Sequence, residues 1–460
     1  FWETKGYIEP AEYARFCGPV VPLARMAKRV WTADETFKAG IEVAQFGAAA
    51  ITNGIASWSL LDAAGKELAS GGFTARSLPV GLVQDVGEVR VELRPLPAPA
   101  RYRLVVWVGP MSGLSAAKIA ENDWDMWVYP AAPPAEPPGG VHVARALDDA
   151  ALARLRAGGT VLLCVDPKRV KGEVAIGFSS IFWNTAWTRN QPPHTLGILC
   201  DPKHPVFATF PTEFHSNWQW WELIHGSGAM VLDDLPPALR PLVQPIDTWF
   251  RNRRLGLLFE AKVGGGGLMV CSMDIESDLA RRPAARQLRA SLLSYLSSPA
   301  FRPAVEVPAE QIRALTTGPR PLDDLGAKIT ADSAAEGYEA GRAADGDPQT
   351  MWHSAWEPQP APLPHWLQIE FPQPTALAGL ACLPRADMDN GRIASFEVRA
   401  SEDGRAWGDP VAAGRWPDSA RRQEIRFAQP VRARFVRLIA LDEVRGRAFA
   451  SVAEIEPILP

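Results

Sequence analysis

The sequence predicts a multidomain, mainly β protein with one α/β domain between two β-rich segments. A single domain usually has about 100–200 residues, so 460 residues predict about three domains. The hydrophobic pattern alternates every second residue near both ends of the chain and is continuous or helical in the middle. A Pro-rich stretch at residues 131–140 separates the first two patterns.

The composition is that of an ordinary globular protein. Hydrophobic residues make up 47% of the chain and charged residues 22%, which argues against extensive disorder. A net charge of -4 provides no basic surface for nucleic acid, and no apolar run predicts a membrane span. The 5 cysteines are odd in number, widely spaced and free of a C-x-x-C motif, so neither a zinc site nor a disulfide framework is predicted.

Residues 1–28 do not have the pattern of a domain start. A short helical pattern begins at Pro10 and stops before Pro19. No neighbouring element of the sequence could cover the apolar side of this helix. We therefore expect that side to pack on a segment that precedes Phe1.

Residues 29–130 alternate with the period of a β-strand. Apolar residues at positions 37, 39, 41 and 43 are separated by Lys38, Gly40 and Glu42. Further strands are expected at residues 56–61, 89–93, 101–108 and 124–129, with a hairpin turn at residues 62–65. About 100 residues of short strands predict an immunoglobulin-like β-sandwich.

Residues 141–300 combine buried strands with helices. Asp148 is a candidate N-cap for a helix that ends before Gly158, and residues 160–165 form the continuous apolar run typical of a strand in a parallel sheet. Residues 255–259 and 268–271 are similar strands, and residues 284–296 have a helical apolar stripe. The pattern predicts an α/β domain whose outline resembles flavodoxin- or amidotransferase-like domains. Cys164 lies within a strand and not at a nucleophile elbow, so no catalytic thiol is assigned.

The α/β domain also contains a cluster of aromatic residues with two interpretations. Its members are Phe182, Trp183, Asn184, Trp187 and residues 214–222, which include Trp218, Trp220 and Trp221. Because indoles pack well on apolar surfaces of sugars, the cluster could be a second saccharide surface or the rim of an active site. It could equally be core or an interface with another domain or subunit. The sequence leaves both interpretations open.

Residues 301–325 are expected to be a second linker, and residues 326–460 return to a β-rich pattern. The last domain contains a group of closely spaced side chains that could bind a ligand or an ion. In it, Asp345 and Asp347 flank Gly346, and Thr350 follows. Oxygen ligands on a backbone that can bend suit a hard cation such as Ca²⁺. The same spacing also suits an Asx-type turn without a metal ion.

Five ordered blocks of this domain resemble discoidin-type (coagulation factor type C) domains. The blocks are residues 344–354, 364–369, 383–393, 433–438 and 451–455. Within this group the pattern is most like that of carbohydrate-binding modules of family 32. The resemblance implies a jelly-roll β-sandwich with a structural Ca²⁺ and a sugar site on loops at one end.

The resemblance also assigns residues by position. The implied metal ligands, some through backbone carbonyls, are Asp345, Asp347, Thr350 and Glu454. The implied sugar-binding residues are His353, Trp356, Arg385 and Asn390. Trp356 could stack on a pyranose ring while Arg385 and Asn390 bind hydroxyls, although Arg385 could instead be a surface charge. Trp352 is expected in the core. The resemblance does not identify the sugar.

Three stretches, residues 1–8, 10–17 and 21–25, resemble the end of the catalytic barrel in glycoside hydrolases related to family 2, the β-galactosidase and β-glucuronidase group. Residues 1–28 would then be the tail of a (β/α)8 barrel, followed by an immunoglobulin-like domain as in those enzymes. Their two catalytic Glu residues precede this segment, so no catalytic residue is expected in this chain. Trp2 could line the sugar pocket of the barrel, and core packing is an equally good interpretation.

Together these patterns predict the accessory, carbohydrate-binding C-terminal region of a secreted or periplasmic glycoside hydrolase that acts on complex glycans. Its expected partners are an oligo- or polysaccharide, an N-terminal catalytic domain and, as a further option, other copies of the chain. One alternative is part of an active exo-glycosidase whose barrel lies in the preceding portion. The other is a non-enzymatic adhesion or assembly protein. The sequence leaves open whether the chain belongs to an enzyme.

Overall fold

The computed structural model divides the chain into two units, Phe1–Leu315 and Thr316–Pro460. It describes residues 6, 8–112, 115–132, 140–172, 174–178, 194–249, 251–316, 321–358, 360 and 362–460. The protein is mainly β, with a few short helices and one helix of four turns. Within the described ranges, no helix is both long enough and apolar enough to cross a bilayer.

A short helix, α1 (Pro10–Phe16), is followed along the chain by residues 20–129, which form two sheets. The strands described there are β1 (Val20–Arg25), β2 (Val30–Thr32), β3 (Thr36–Gln45), β4 (Ile51–Leu61), β5 (Glu67–Gly72), β6 (Arg76–Leu78), β7 (Leu82–Glu92), β8 (Ala100–Ser112), β9 (Ser115–Ala116) and β10 (Ala120–Tyr129). One sheet has the order β1-β3-β7, and the other has the order β2-β10-β8-β4-β5, with β6 beside β4 and β9 beside β8. The predicted strands are therefore present, while the immunoglobulin-like class stays a prediction.

The core of this sandwich follows the predicted alternation. Phe37, Ala39, Ile41 and Val43 on β3 are all fully buried, because alternate residues of a strand point to the same face. The sandwich begins earlier than the predicted boundary at residue 29, since β1 pairs with β3 along its whole length. The alternation within β1 is too short to identify it as part of the sheet without its partner.

Residues 141–315 form the α/β part of the first unit. Its strands are β11 (Val141–Ala144), β12 (Thr160–Cys164), β13 (Ile198–Cys200), β14 (Met230–Val231), β15 (Val243–Pro245), β16 (Leu255–Gly256), β17 (Leu258–Val263) and β18 (Gly266–Cys271). Its helices are α2 (Asp149–Arg156), α3 (Trp221–His225), α4 (Pro283–Leu296) and α5 (Ala309–Arg313). As predicted, Asp148 caps α2 by accepting a hydrogen bond from the Ala151 backbone N at 2.8 Å.

The main sheet of this part has the order β11-β12-β18-β17-β15-β13. Strands β11, β12 and β18 are parallel, whereas β17, β15 and β13 are antiparallel to their neighbours. The sheet is therefore mixed and only partly parallel. The hairpin between β17 and β18 turns at Gly264 and Gly265, both with positive φ angles, which glycine adopts without strain.

The predicted linker at residues 301–325 is largely structured. Val307, Ile312 and Leu315 are buried in the core of the α/β part, and the Val307 backbone N donates to the Lys262 carbonyl at 2.9 Å. The prediction relied on the Pro residues and loose pattern of this segment, which do not reveal apolar contacts made far along the chain. Leu322, on helix α6 (Pro321–Asp324), belongs instead to the core of the second unit.

The second unit is a β-sandwich built around two long strands. Its strands are β19 (Lys328–Ala331), β20 (Trp352–His353), β21 (His365–Leu383), β22 (Ile393–Ser401), β23 (Ala412–Arg415), β24 (Gln423–Glu443), β25 (Ser451–Val452) and β26 (Glu454–Ile458). The main sheet has the order β19-β21-β24-β22-β23 with β26 beside β21, and β20 pairs with β25. Trp352 is 1% exposed and its indole N donates to the Ser333 carbonyl at 2.9 Å, which confirms its predicted place in the core.

Candidate functional site

The short β20–β25 pairing brings three separate loops of the second unit together. His353 on β20 lies opposite Ser451 on β25, and the Ser451 backbone N donates to the Gly391 carbonyl at 2.7 Å. Gly391 has a φ of +80°, and a Cβ there would lie 2.8 Å from Ser451 Oγ. Only glycine fits this turn, which places Asn390 next to His353.

His353 and Asn390 form a buried polar pair. His353 Nδ1 lies 2.7 Å from the Ser354 carbonyl, which can only accept, so Nδ1 carries the proton and donates. Nε2 is then an acceptor for Asn390 Nδ2 at 3.2 Å. The Asn390 Oδ1 is buried and has no hydrogen-bond partner among the described residues. Burial lowers the pKa of His353 and keeps the imidazole neutral near pH 7.

Aromatic rings surround the other side of this imidazole. Trp356 meets His353 edge to face, with ring centroids 4.9 Å apart, and meets Tyr338 in the same way at 5.2 Å. Phe449 lies 5.5 Å from the His353 ring. Trp356 remains partly exposed, so its indole is held in a fixed orientation while part of its surface faces solvent.

Arg385 is 5% exposed, so its interpretation as a surface charge is wrong. Its Nε and Nη2 donate to the two oxygens of Asp387 at 2.8 and 2.6 Å, and its Nη1 donates to the Asn390 carbonyl at 3.2 Å. The guanidinium therefore uses much of its donor capacity within the protein. The hydrogen bonds from Arg385 hold the pKa of Asp387 below its usual value, which leaves an ionised and half-exposed acceptor beside Asn390.

A buried carboxylate fixes the loop that carries Phe449. Glu443 is 2% exposed and accepts from the Gly391 backbone N and from the Arg447 side chain, at 3.2 and 3.0 Å. It also accepts from the backbone N of Arg445 and Arg447, at 2.6 and 3.0 Å. Asp389 pairs with both of these arginine side chains. These contacts connect the Asn390 turn to the following loop.

The four predicted sugar-binding residues thus lie in one continuous chain of contacts. We call the group of His353, Trp356, Arg385, Asn390, Asp387, Tyr338 and Phe449 the cleft. The last three residues were not predicted. Asp387 could have been recognised as a partner of Arg385 from its spacing of two residues, whereas Tyr338 and Phe449 are distant in sequence and carry no such signal.

The predicted metal loop has the geometry of a tight turn lined with oxygen atoms. Thr350 Oγ1 lies 2.6 Å from Asp345 Oδ2, 3.1 Å from the Asp347 carbonyl and 3.4 Å from the Arg342 carbonyl. Asp345 Oδ1 also accepts from the Asp347 backbone N at 2.9 Å, so the Asx-type turn is present too. Asp347 therefore presents its backbone carbonyl, rather than its carboxylate, to the Thr350 hydroxyl.

Glu454 reaches this loop from the start of β26. Burial, and then the neighbouring Asp345 carboxylate, raises the pKa of Glu454 to about 8. Its Oε1 is buried without a hydrogen-bond partner in the described part of the chain. Among the residues that the structure describes, no group of three or more His, Cys, Asp or Glu side chains is arranged to hold a metal ion. A cation here would therefore need the two carboxylates together with hydroxyl and backbone carbonyl oxygens.

Other predicted residues lie outside the described ranges or outside the cleft. Trp2 and four members of the aromatic cluster, Phe182, Trp183, Asn184 and Trp187, are not among the described residues. The rest of that cluster divides in two. Trp220 is fully buried in the core of the first unit, whereas Trp218 and Trp221 are 51% and 49% exposed.

Comparison with known families divides the chain into three matched segments. Residues 328–455 match the F5/8 type C domain, which confirms the discoidin-type domain predicted from the five sequence blocks. Residues 35–130 and 142–317 match two domains of unknown function, DUF8488 and DUF8487.

Two curated relatives share part of the sequence. Galactose oxidase of Gibberella zeae is 40% identical over 133 residues, which are 28% of this chain and 19% of that protein. A sialidase of Micromonospora viridifaciens is 38% identical over 130 residues, which are 27% of this chain and 20% of that protein. The matched region therefore spans about a fifth of the length of these relatives.

Solved structures of similar proteins include two family 32 carbohydrate-binding modules from Clostridium perfringens. One, in complex with GalNAc-β-1,3-galactose, is 31% identical, with a TM-score of 0.28, and covers 30% of this chain and 98% of its own. The other, in complex with galactose, is 28% identical, with a TM-score of 0.27, and covers 30% of this chain and 96% of its own.

Proposed function

We propose that the F5/8 type C domain of this chain binds a terminal sugar of a glycan in the cleft. The observation that carries the proposal is the continuous chain of contacts from Trp356 through His353, Asn390 and Arg385 to Asp387. This arrangement combines a partly exposed indole with an amide, a neutral imidazole and an ionised carboxylate. Sugar recognition needs an apolar ring for the C–H face of a pyranose and fixed polar groups for its hydroxyls.

Each polar group has a defined role in this proposal. Asp387 accepts a hydroxyl hydrogen, and the two bonds from Arg385 hold it in place. The buried Asn390 Oδ1 lacks a donor, and an unsatisfied buried acceptor costs about 1–3 kcal/mol. A ligand hydroxyl or a bound water would stabilise it. Arg385 acts by positioning Asp387 and Asn390, which differs from its predicted role as a direct ligand donor.

Galactose-type sugars are the first ligands to test. The curated relatives are named galactose oxidase and sialidase, and a third, 31% identical over 110 residues, is named lacto-N-biosidase of Bifidobacterium bifidum. All three names refer to enzymes of carbohydrates. For the cleft, the proposal is sugar binding and not a catalytic step.

The replacement Trp356→Ala tests the sugar site. Removing the indole should weaken binding of galactosides by about tenfold, because a stacked aromatic contact is lost. The melting temperature should change little because Trp356 is partly exposed. Binding is measured by isothermal titration calorimetry and on a glycan array. The matched control is Trp407→Ala, since that indole packs on Arg437 at 4.2 Å, outside the cleft. Unchanged affinity in Trp356→Ala, or no glycan bound by the parent chain, would overturn the proposal.

We also propose that the loop at residues 345–350 holds a structural Ca²⁺ with Glu454. The ligands would be the Asp345 and Glu454 carboxylates, the Thr350 hydroxyl and the Asp347 carbonyl, with the Arg342 carbonyl nearby. An all-oxygen set of this kind suits Ca²⁺. Two adjacent carboxylates, one with a buried and unpaired oxygen, support a cation between them.

We further propose that the chain is the accessory region of a secreted or periplasmic glycoside hydrolase of the family 2 type. The resemblance of residues 1–8 and 10–17 to the end of a catalytic barrel and the names of the relatives support this proposal, whereas residues 20–25 belong to the sandwich. The catalytic Glu pair would then lie in the barrel, outside this sequence. Release of nitrophenol from aryl glycosides by this chain alone would contradict the accessory role.

A further inference from the structure

The first unit contains a cavity that none of the functions above uses. Its volume is about 530 Å³, within the range of small-molecule pockets, about 300–1,000 Å³. It lies where residues 26–30, which lead into β2, meet residues 218–222 and 281–284 of the α/β part. Lys28, Arg29, Trp218, Trp221, Glu222 and Arg281 are among its lining residues.

The walls of this cavity are held together by polar and apolar contacts. The Trp127 indole N donates to the Pro211 carbonyl at 3.1 Å, and the Tyr129 hydroxyl is hydrogen-bonded to Gln219. Both aromatic residues are buried in the core of the α/β part. The sandwich and the α/β part therefore form a fixed frame around the cavity.

Two half-exposed indoles form the apolar side of the cavity. Trp218 and Trp221 are 51% and 49% exposed, with ring centroids 5.9 Å apart. Phe178 stacks on Trp218 at 5.4 Å and meets Trp221 edge to face at 5.1 Å, which fixes both rings. Large apolar rings that are packed against one another and yet exposed beside a cavity indicate a surface that receives a ligand.

The polar side of the cavity has an excess of positive charge. Arg29 donates to the Asp125 carbonyl at 3.1 Å and lies 5.9 Å from the Trp218 ring. In the described part of the chain, no carboxylate oxygen lies within ion-pair distance of the Arg29 or Arg281 guanidinium. Lys28 is paired with Glu35. Glu222, the carboxylate in the lining, accepts from the Ala285 backbone N and lies 3.8 Å from Arg282.

The Asp125 carboxylate acts on the Arg29 guanidinium at longer range, and a partly buried guanidinium without a directly contacting carboxylate is costly unless a ligand supplies the negative charge. Burial lowers the pKa of Arg29 by more than the Asp125 carboxylate raises it, in agreement with its position inside the cavity. A planar guanidinium binds a carboxylate through two parallel hydrogen bonds. The indoles beside it offer the flat surface that a pyranose ring needs.

We propose that this cavity is a second saccharide site, separate from the cleft, and that its ligand is an acidic sugar of the hexuronate class. Trp218 and Trp221 hold the ring, and Arg29 binds the carboxylate with support from Arg281. Glu222 accepts a ring hydroxyl. The site does not depend on the cleft, because all of its residues lie in the first unit.

Titration of the chain with methyl β-D-glucuronide and with methyl β-D-glucoside tests this proposal. Both titrations use the Trp356→Ala chain, so that the cleft does not contribute, and they are followed by tryptophan fluorescence and saturation-transfer NMR. The glucuronide should bind about tenfold more tightly than the neutral glucoside, because only the glucuronide makes the charge-assisted contact. The preference should weaken as salt rises, since the guanidinium is partly open to solvent.

Three variants assign the binding to named residues. Trp218→Ala should abolish binding of both sugars, whereas Trp249→Ala, which removes another exposed indole of the same unit, should leave it unchanged. Arg29→Gln should remove the preference for the glucuronide but keep weak binding of both sugars. Melting curves establish whether each variant is folded. If Trp218→Ala does not fold, Trp221→Ala is used in its place.

Several outcomes would overturn the proposal. These are the absence of glucuronide binding, equal affinity for the two sugars, and glucuronide binding that survives in Trp218→Ala and Trp221→Ala. Loss of binding in Trp249→Ala would also count against it, because that indole does not line the cavity.

Discussion

At the scale of single residues, the cleft depends on an imidazole whose state is set by its surroundings. His353 is 1% exposed, and its two nitrogens have different partners, the Ser354 carbonyl and the Asn390 amide. A second proton on the ring would face the amide hydrogens of Asn390 and the guanidinium of Arg385. The neutral imidazole therefore maintains the geometry of Asn390.

The neutral state of His353 predicts how a fall in pH affects the stability of the second unit. The pKa of His353 is lowered by burial, and also by Arg385 and His365, while the hydrogen bond to the Ser354 carbonyl and the Asp387 carboxylate act in the opposite direction. Below pH 6.5 the His353 side chain of the unfolded chain takes up a proton that the folded domain resists, which favours unfolding. The contribution of neutral His353 to folding stability is therefore complete above pH 6.5 and declines as the pH falls. The loss of melting temperature between pH 7 and pH 5 should be smaller in His353→Gln than in the parent.

The comparison of these two proteins removes the contributions of other titrating groups such as Glu454. The pKa of Glu454 is raised in the folded domain, so its contribution to stability increases as the pH falls, opposite to that of His353. Equal losses in the two proteins would show that His353 titrates in the folded domain as it does in the unfolded chain.

Asp387 provides a second test at this scale. Asp387→Asn removes the ionised acceptor and one partner of Arg385, so galactoside affinity should fall by about tenfold or more. Asp403→Asn is the control, because that carboxylate accepts backbone hydrogen bonds in a turn outside the cleft. A normal affinity for Asp387→Asn would exclude Asp387 from ligand contact.

At the scale of elements, the site is assembled by short pairings and turns. Strand β20 has two residues and β25 has two, yet this pairing joins the loop of Trp356 to the loop of Phe449. The Gly391 turn adds Asn390 through its hydrogen bond with Ser451. Glu443 then connects that turn to the loop that follows β24.

The Gly391 turn predicts a measurable cost. Gly391→Ala introduces a methyl group 2.8 Å from Ser451 Oγ at a φ of +80°, whereas Gly446→Ala, at +72°, meets no atom within 4 Å. The cost of placing an alanine at a positive φ, about 1–2 kcal/mol, is common to both variants. The larger loss of unfolding free energy in Gly391→Ala therefore measures the clash, and galactoside binding should fall only in that variant. Equal losses in both would contradict this account of the turn.

At the scale of the whole molecule, the chain consists of two units with separate cores. The first unit combines the sandwich and the α/β part, and the second contains the F5/8 type C domain. Each has its own candidate sugar site. Independent cores of this kind should unfold in separate calorimetric transitions.

Removal of metal should affect one of these transitions. A ligand at 100 times its Kd stabilises the folded state by about 2.7 kcal/mol, so a chelator should lower the melting temperature of the second unit by several degrees. Differential scanning calorimetry measures both transitions, and Asp345→Asn identifies the one that loses its response. Two unchanged transitions in excess chelator would exclude the Ca²⁺ proposal. A shift confined to the first unit would place the metal elsewhere.

The sequence by itself predicted the order of β, α/β and β segments, the helix capped by Asp148, the buried Trp352 and the F5/8 type C domain. Hydrophobic period and capping residues are properties of neighbouring positions in the chain, and the F5/8 type C blocks are recognised by their order along it, so none of these features requires knowledge of spatial contacts. The four residues assigned to the sugar site were also found together in space.

Only the tertiary structure decided which groups meet across long sequence separations. The pairing of β1 with β3, the buried places of Ile312 and Leu315, and the hydrogen bond between Asn390 and His353 are contacts of this kind. The cavity beside Trp218 and Arg29 joins residues almost 190 positions apart. No local pattern specifies such contacts, since they depend on how complete elements pack and which side chains that packing buries.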